Sequence, residues 1–212
     1  MDPHVPGAQH YGVEYLGHNR PFSLAVQLTE VIAVLPRSVL EVGVGTGIGA
    51  FALRRAGLSV TTLDVQPELA PDLVGDVRAI PAAARAFDVS CCCQVLEHLP
   101  FGDLPRALSE LRRVTDRRLV LSLPDLTRSF GCTFSLASRG LRTIGISLPV
   151  REPAQAWKAE RLRTMGHYWE IGMEGVTARR VAQEIRHAGF ARVRSLRVRE
   201  LPWHRFFIAD AA

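Results

Sequence analysis

The chain has 212 residues, 47% hydrophobic and 22% charged, an ordinary composition for one globular domain with room for a substantial core. No apolar run approaches the ~18 residues that span a bilayer, and the opening Met1-Asp2-Pro3-His4 lacks the basic and apolar regions of a signal peptide, so a cytoplasmic protein is expected. The net charge is +5, but the 26 basic residues are scattered in ones and twos and all except Lys158 are arginine, so no charge run marks a nucleic-acid surface.

Residues 1–20 are interrupted by Pro3, Pro6, Gly7, Gly12 and Gly17 and read as an N-terminal arm. Folded over a ligand site, the arm would contribute Tyr15 and Arg20, with Arg20 pairing to the carboxylate of an amino-acid ligand. Pro21 to about Leu35 reads as a helix with Leu24, Leu28, Val31 and Leu35 on one face, ended by Pro36. Val39 to Val42 is a short β-branched run of the kind buried in parallel sheets. It passes through Gly43, Gly45, Gly47 and Gly49 into a helical segment, Ala50 to Ala56, with Gly57 at the C′ position. A strand, a glycine turn and a helix form the nucleotide-cradling corner of a doubly wound α/β fold.

The glycines alone do not name the nucleotide. Gly45-x-Gly47-x-x-Ala50 satisfies a dinucleotide fingerprint, so an NAD-dependent oxidoreductase is one reading. Against it stands Glu41, inside the strand: a carboxylate there repels a pyrophosphate but suits the cationic end of an amino-acid ligand. Leu58 to Leu63 forms the second strand and ends in Asp64, followed by Val65. An acid at that strand end faces the ribose of a bound nucleoside, and its two oxygens can accept both hydroxyls.

Leu40-Glu41-Val42-Gly43-Val44-Gly45-Thr46-Gly47 resembles motif I of the class I S-adenosylmethionine-dependent methyltransferases, and Gln94-Val95-Leu96-Glu97-His98-Leu99 resembles their segment after strand four. Gly166-His167-Tyr168-Trp169-Glu170-Ile171-Gly172 and the strand from His204 to Ile208 resemble segments of bacterial type 11-like members. The resemblance implies S-adenosylmethionine as cofactor, with Glu41, Gly43, Gly45, Thr46 and Gly47 around its amino-acid end, Asp64 and Val65 at the ribose, Asp76 and Val77 at the adenine, and Gln94 beside the methionine. It also implies a Rossmann-like seven-stranded sheet in the order 3-2-1-4-5-7-6, last strand antiparallel, within a single domain over 1–212.

Asp72 to Val77 is read as the short third strand with its turn, Phe87 to Cys93 as the fourth, and Arg118 to Leu123 as the fifth, stopped by Pro124. The adjacent Cys91, Cys92 and Cys93 have no zinc-ligand spacing and read as small strand hydrophobes, so no metal site is expected. Asp103 is a candidate N-cap for a helix to Val114 with Leu104, Ala107, Leu108 and Leu111 on one face. Residues 125–165, with seven basic and three acidic residues and a helix from Ala154 to Arg163, break the alternation where this family inserts a substrate cap. A helix from Thr177 to Ala188 and strands at Ala191–Val198 and His204–Ala209 complete the domain.

Methyl transfer needs a base only for an acceptor that carries its proton at neutral pH. His167 is the first candidate, His98 the second, and Glu170 would orient one of them or the substrate. No N/D-P-P-aromatic segment follows strand four, which favours an oxygen or nitrogen acceptor on a small molecule over a nucleic-acid base. A non-catalytic S-adenosylmethionine-binding domain is a further reading, and the oligomeric state is open.

Overall fold

Five strands run parallel: β1 (Ser38–Val42), β2 (Ser59–Asp64), β3 (Leu73–Val74), β4 (Phe87–Cys93) and β5 (Thr115–Pro124). Two more, β8 (Phe190–Arg197) and β9 (His204–Ala211), extend them into one sheet of order β3-β2-β1-β4-β5-β9-β8, with β9 antiparallel to both neighbours. Between β5 and β8 in sequence, β6 (Ser129–Ala137) and β7 (Leu141–Pro149) pair as a separate antiparallel hairpin. With that hairpin set aside, the sheet has the order expected from the sequence. This computed structural model describes residues 7–17, 19–127, 129–137, 141–149 and 155–211, and side chains over 7, 9–17, 19–127 and 160–211. Parts of the expected arm (1–6 and 18) and of the expected cap (128, 138–140 and 150–154) lie outside the described residues.

Helices cover both faces because the strands are apolar on both. Leu40 and Val42 of β1 pack with Leu119 and Leu121 of β5 beneath α4 (Leu104–Val114) and α6 (Ala178–His187). Val39, Val89 and Val120 face the other way, beneath α2 (Arg20–Ile32) and α3 (Ile48–Arg55), while α1 (Val13–Leu16) is a single turn in the arm. Leu104, Ala107, Leu108, Leu111 and Val114 of α4 are essentially unexposed, as are Val181 and Ile185 of α6. Each such side chain contributes about 1.5–3 kcal/mol through burial. Thr177 caps α6 by accepting from Arg180 N at 3.1 Å. Among the described residues, no helix is long and apolar enough to cross a membrane.

Three local expectations are corrected. α2 does not bury a leucine stripe: Leu35 lies beyond the helix and is 86% exposed, while Ser23, Gln27, Glu30 and Val31 are buried. The buried face is polar because it meets polar groups of the sheet, His204 opposite Ser23 and Glu41 opposite Gln27. Asp103 holds the N-cap position of α4 but makes no side-chain capping bond; its carboxylate accepts instead from Arg78 Nη1 at 2.6 Å. The cap region is not irregular up to its helix, since β6 and β7 occupy most of it before α5 (Gln155–Met165). The period-two alternation Phe130, Cys132, Phe134, Leu136 and Ile144, Ile146, Leu148 explains the strands, and the register pairs these rows with each other.

Candidate functional site

The strand order reverses between β1 and β4, and the crevice beyond the carboxyl ends of the strands opens there. A lobe of about 590 Å³ lies over β2 and β3 and is lined by Asp64, Val65, Asp76 and Val77. A second lobe of about 300 Å³ lies over β1 and α3 and is lined by Glu41, Thr46, Arg20 and Tyr15. The lobes share Tyr11, Val42, Gly43 and Gln94, so they form one elongated cleft.

The glycine turn shapes its floor. Gly43, Gly45 and Gly47 all have positive φ, at 84°, 52° and 71°, which side chains with a Cβ rarely adopt. A Cβ on Gly43 would also run into Val95, and one on Gly49 would run into the Glu41 carboxylate. Gly47 is the N-cap of α3, so the first amides of that helix face the cleft without a side-chain cap.

Glu41 is 5% exposed, and its Oε1 accepts from Gln27 Nε2 at 2.8 Å. Its Oε2 is buried and has no partner among the described residues. Burial pushes the carboxyl up to about 7, against the opposing pull of Gln27, the Ala50 amide and Arg54. An orphaned acceptor of this kind marks the place of a donor, and its charge prefers a cation. Arg20 stands at the same lobe, its guanidinium 3.8 Å from the Tyr15 ring centre and donating to Tyr15 Oη at 2.9 Å.

At the other lobe, Asp64 is held by two backbone amides: Oδ2 accepts from Val44 N at 2.8 Å and Oδ1 from Gln66 N at 2.9 Å. Each oxygen retains accepting capacity, so the carboxylate is fixed and able to take a pair of hydroxyls. Asp76 lines this lobe but is gripped by Arg78, whose Nη2 lies 2.6 Å from Oδ2 and whose amide lies 2.7 Å from Oδ1. Those bonds hold its carboxyl below the usual range. Gln94 is a non-glycine residue at φ 57°, and its amide donates to Ser122 O at 2.9 Å. Such backbone strain is held by surrounding structure and clusters at ligand sites.

The second set of sequence candidates converges on a smaller cavity of about 70 Å³, lined by Glu97, His98 and His167 and sharing Tyr11 and Gln94 with the cleft. His167 is 7% exposed and its Nδ1 lies 2.6 Å from Glu170 Oε1. Glu170 is fully buried, and its Oε2 accepts from Arg161 Nε at 3.1 Å. The His98 and His167 rings meet edge to face at 4.8 Å. The segment is fastened by backbone bonds, Tyr168 N to Glu97 O and Ile171 N to Pro124 O. Trp169 faces away from the cavity, buried on Phe101 with its indole donating to Leu99 O.

Reading the sequence alone missed Tyr11, which lines all three cavities, and Gln27, Arg161 and His204. Tyr11 lies in the Gly- and Pro-broken arm, where no periodicity singles it out. Gln27 lies on the polar side of α2, which the leucine spacing did not mark as buried. Of the three strand cysteines, Cys91 and Cys92 are buried in β4 as expected, while Cys93, at the strand end, is half-buried and lines the cleft.

Residues 40–120 match a family model described as a methyltransferase domain. No curated protein matches the chain significantly. Solved structures share its fold at low identity. A candidate O-methyltransferase from Nostoc punctiforme PCC 73102 superposes with a TM-score of 0.62 at 12% identity, over 96% of this chain and 59% of that one. The 1,6-didemethyltoxoflavin-N1-methyltransferase of Burkholderia thailandensis, solved with S-adenosylhomocysteine, gives 0.57 at 18% identity over 98% and 92%. Human N-acetylserotonin methyltransferase, solved with S-adenosylmethionine, gives 0.61 at 13% identity over 90% and 52%. The chain thus spans little more than half the length of the first and third of these.

Proposed function

We propose that this chain, whose residues 40–120 match a methyltransferase domain, is an S-adenosylmethionine-dependent methyltransferase acting on an oxygen or nitrogen of a small molecule. The observation that carries the reading is the unpartnered Oε2 of Glu41, buried at one end of a cleft whose other end presents Asp64. A ligand with an ammonium group at one end and a ribose diol towards the other satisfies both. A dinucleotide places a pyrophosphate near Glu41, where charge opposes it.

In this reading Glu41 would hold the amino group, Arg20 the carboxylate, Asp64 the ribose hydroxyls, and Asp76 with Val77 the adenine edge. When bound, the cofactor supplies a methyl group already activated by its sulfonium. What remains for the protein is to align the acceptor, exclude water and take a proton where the acceptor carries one. His167 would perform the last task. Its Nδ1 is engaged by Glu170, which leaves Nε2 to accept the proton and a carboxylate to stabilise the resulting imidazolium. Two neighbouring proteins are named for small molecules, 1,6-didemethyltoxoflavin and N-acetylserotonin, which supports the same class here.

Thermal unfolding with S-adenosylhomocysteine, S-adenosylmethionine or NADH tests this. Ligand at ~100 times its dissociation constant adds about 2.7 kcal/mol, a midpoint rise of several degrees. The expected result is a rise with the first two only; a rise with NADH alone would sink the methyltransferase reading.

A further inference from the structure

The small cavity contains a feature that methyl transfer does not require. Glu97, on the turn after β4, is fully buried, and among the described residues neither of its carboxylate oxygens finds a hydrogen-bond partner. An unpaired buried carboxylate is costly, and a cation beside it would offset that cost. One donor atom each from Glu97, His98 and His167 lie within 4.8 Å of one another. Donors about 2.1 Å from a tetrahedral ion stand about 3.4 Å apart, so small side-chain rotations gather these three.

The far sides of the two imidazoles supply an independent observation. His167 Nδ1 is bonded to the Glu170 carboxylate at 2.6 Å and His98 Nδ1 to Gly166 O at 3.1 Å. Metal-ligating histidines almost always engage a carboxylate or backbone carbonyl through the second ring nitrogen, which fixes ring orientation and tautomer. Glu170 is itself pinned by Arg161. A cavity of about 70 Å³ has room for an ion and a few waters, not for a whole acceptor.

We propose that Glu97, His98 and His167 are the three protein ligands of a divalent first-row transition cation, bound beside the cofactor cleft with open coordination positions. Two imidazoles and one carboxylate suit zinc, iron, cobalt or manganese; magnesium and calcium prefer all-oxygen sets. An acceptor hydroxyl entering an open position would lose its proton to water more readily, because the cation stabilises the oxyanion. The acceptor class is then an alcohol or phenol, and His167 serves as ligand in place of base. That role rests on the methyl-transfer reading; the cation site does not.

The test is equilibrium dialysis of the chelator-stripped chain against Zn²⁺, Co²⁺ or Mn²⁺, with bound metal quantified and the S-adenosylhomocysteine thermal shift measured in parallel. We expect one cation per chain, with affinity reduced at least tenfold in Glu97→Gln and His167→Gln but unchanged in His187→Gln, an exposed histidine. Folding of each variant is checked by circular dichroism. X-ray absorption of the metal-loaded native chain should show imidazole and oxygen ligands, a readout that needs no variant. Failure to bind any of the three cations, undiminished binding in both ligand variants, or sulfur in the coordination shell would overturn the proposal. A missing cation with an intact cofactor shift leaves methyl transfer standing, and the reverse result leaves the cation site standing.

Discussion

Replacing Glu41 with glutamine removes a charge the free protein holds at a cost and the proposed ligand needs. Its carboxyl rises from an ordinary 4.5 to about 7, chiefly through burial. The folded state therefore holds a proton that the unfolded chain releases, so stability falls as pH rises from 4.5 to 7 and is level above. Between pH 5 and pH 8 the accumulated loss is about 2.5 kcal/mol. Glu41→Gln abolishes this loss, although its buried amide group gives back about 1–3 kcal/mol at every pH by lacking an acceptor. The pH dependence of the variant's stability relative to the native chain is thus the clean quantity: it should improve by about 2.5 kcal/mol from pH 5 to pH 8 in urea unfolding. Cofactor affinity moves the opposite way. Losing a charge-assisted hydrogen bond worth about 1.5–3 kcal/mol weakens S-adenosylhomocysteine binding roughly 10- to 100-fold in calorimetry. At pH 6 the native chain should release a proton on binding, as the ammonium draws Glu41 into its charged form, and the variant should not. A variant that binds S-adenosylhomocysteine like the native chain, or shows no relative gain at pH 8, would refute the reasoning.

Asp64→Ala should abolish the several-degree rise with S-adenosylhomocysteine, because the two amide bonds that fix the carboxylate leave no substitute acceptor; a retained rise would remove Asp64 from the site. Gly49→Ala should weaken the same binding and cost about 1–3 kcal/mol in denaturant unfolding, since its methyl enters the space of the Glu41 carboxylate. Burial, with Arg20 and Arg161 adding to it, lowers His204 from an ordinary 6.5 to about 3. The unfolded chain takes up a proton there that the folded chain refuses, so stability is lost as pH falls from 6.5 towards 3, about 2 kcal/mol of it by pH 5. His204→Gln should flatten that acid limb by a similar amount in urea unfolding at pH 7 and pH 5. Asp125 is fully buried between Arg197 and Arg205, whose bonds outweigh burial and hold its carboxyl low. Asp125→Ala should cost about 3–5 kcal/mol, against under 1 kcal/mol for Glu160→Ala in the exposed pair with Arg163.

What lay within one stretch of chain was legible. The β-branched run, the glycines that only positive φ explains and the acids two residues before and some twenty residues after them are local chemistry. They specify a strand, a turn and a helix without reference to anything distant, and they carry the proposed ligand contacts. Sheet order came with the resemblance those segments carry, and the observed order agrees with it. The polar side of α2 was not legible, because Ser23 and Gln27 are buried only by virtue of His204 and Glu41 opposite them. Nor was the clustering of Glu97 and His98 with His167, about seventy positions further on. The sequence alone determined that Glu97 and His98 share a turn and that His167 and Glu170 share a short segment. Only the tertiary structure decided that the two segments meet, through the backbone bonds of Tyr168 to Glu97 and Ile171 to Pro124. Burial and charge at a site depend on what packs against it, and a linear pattern carries no record of that.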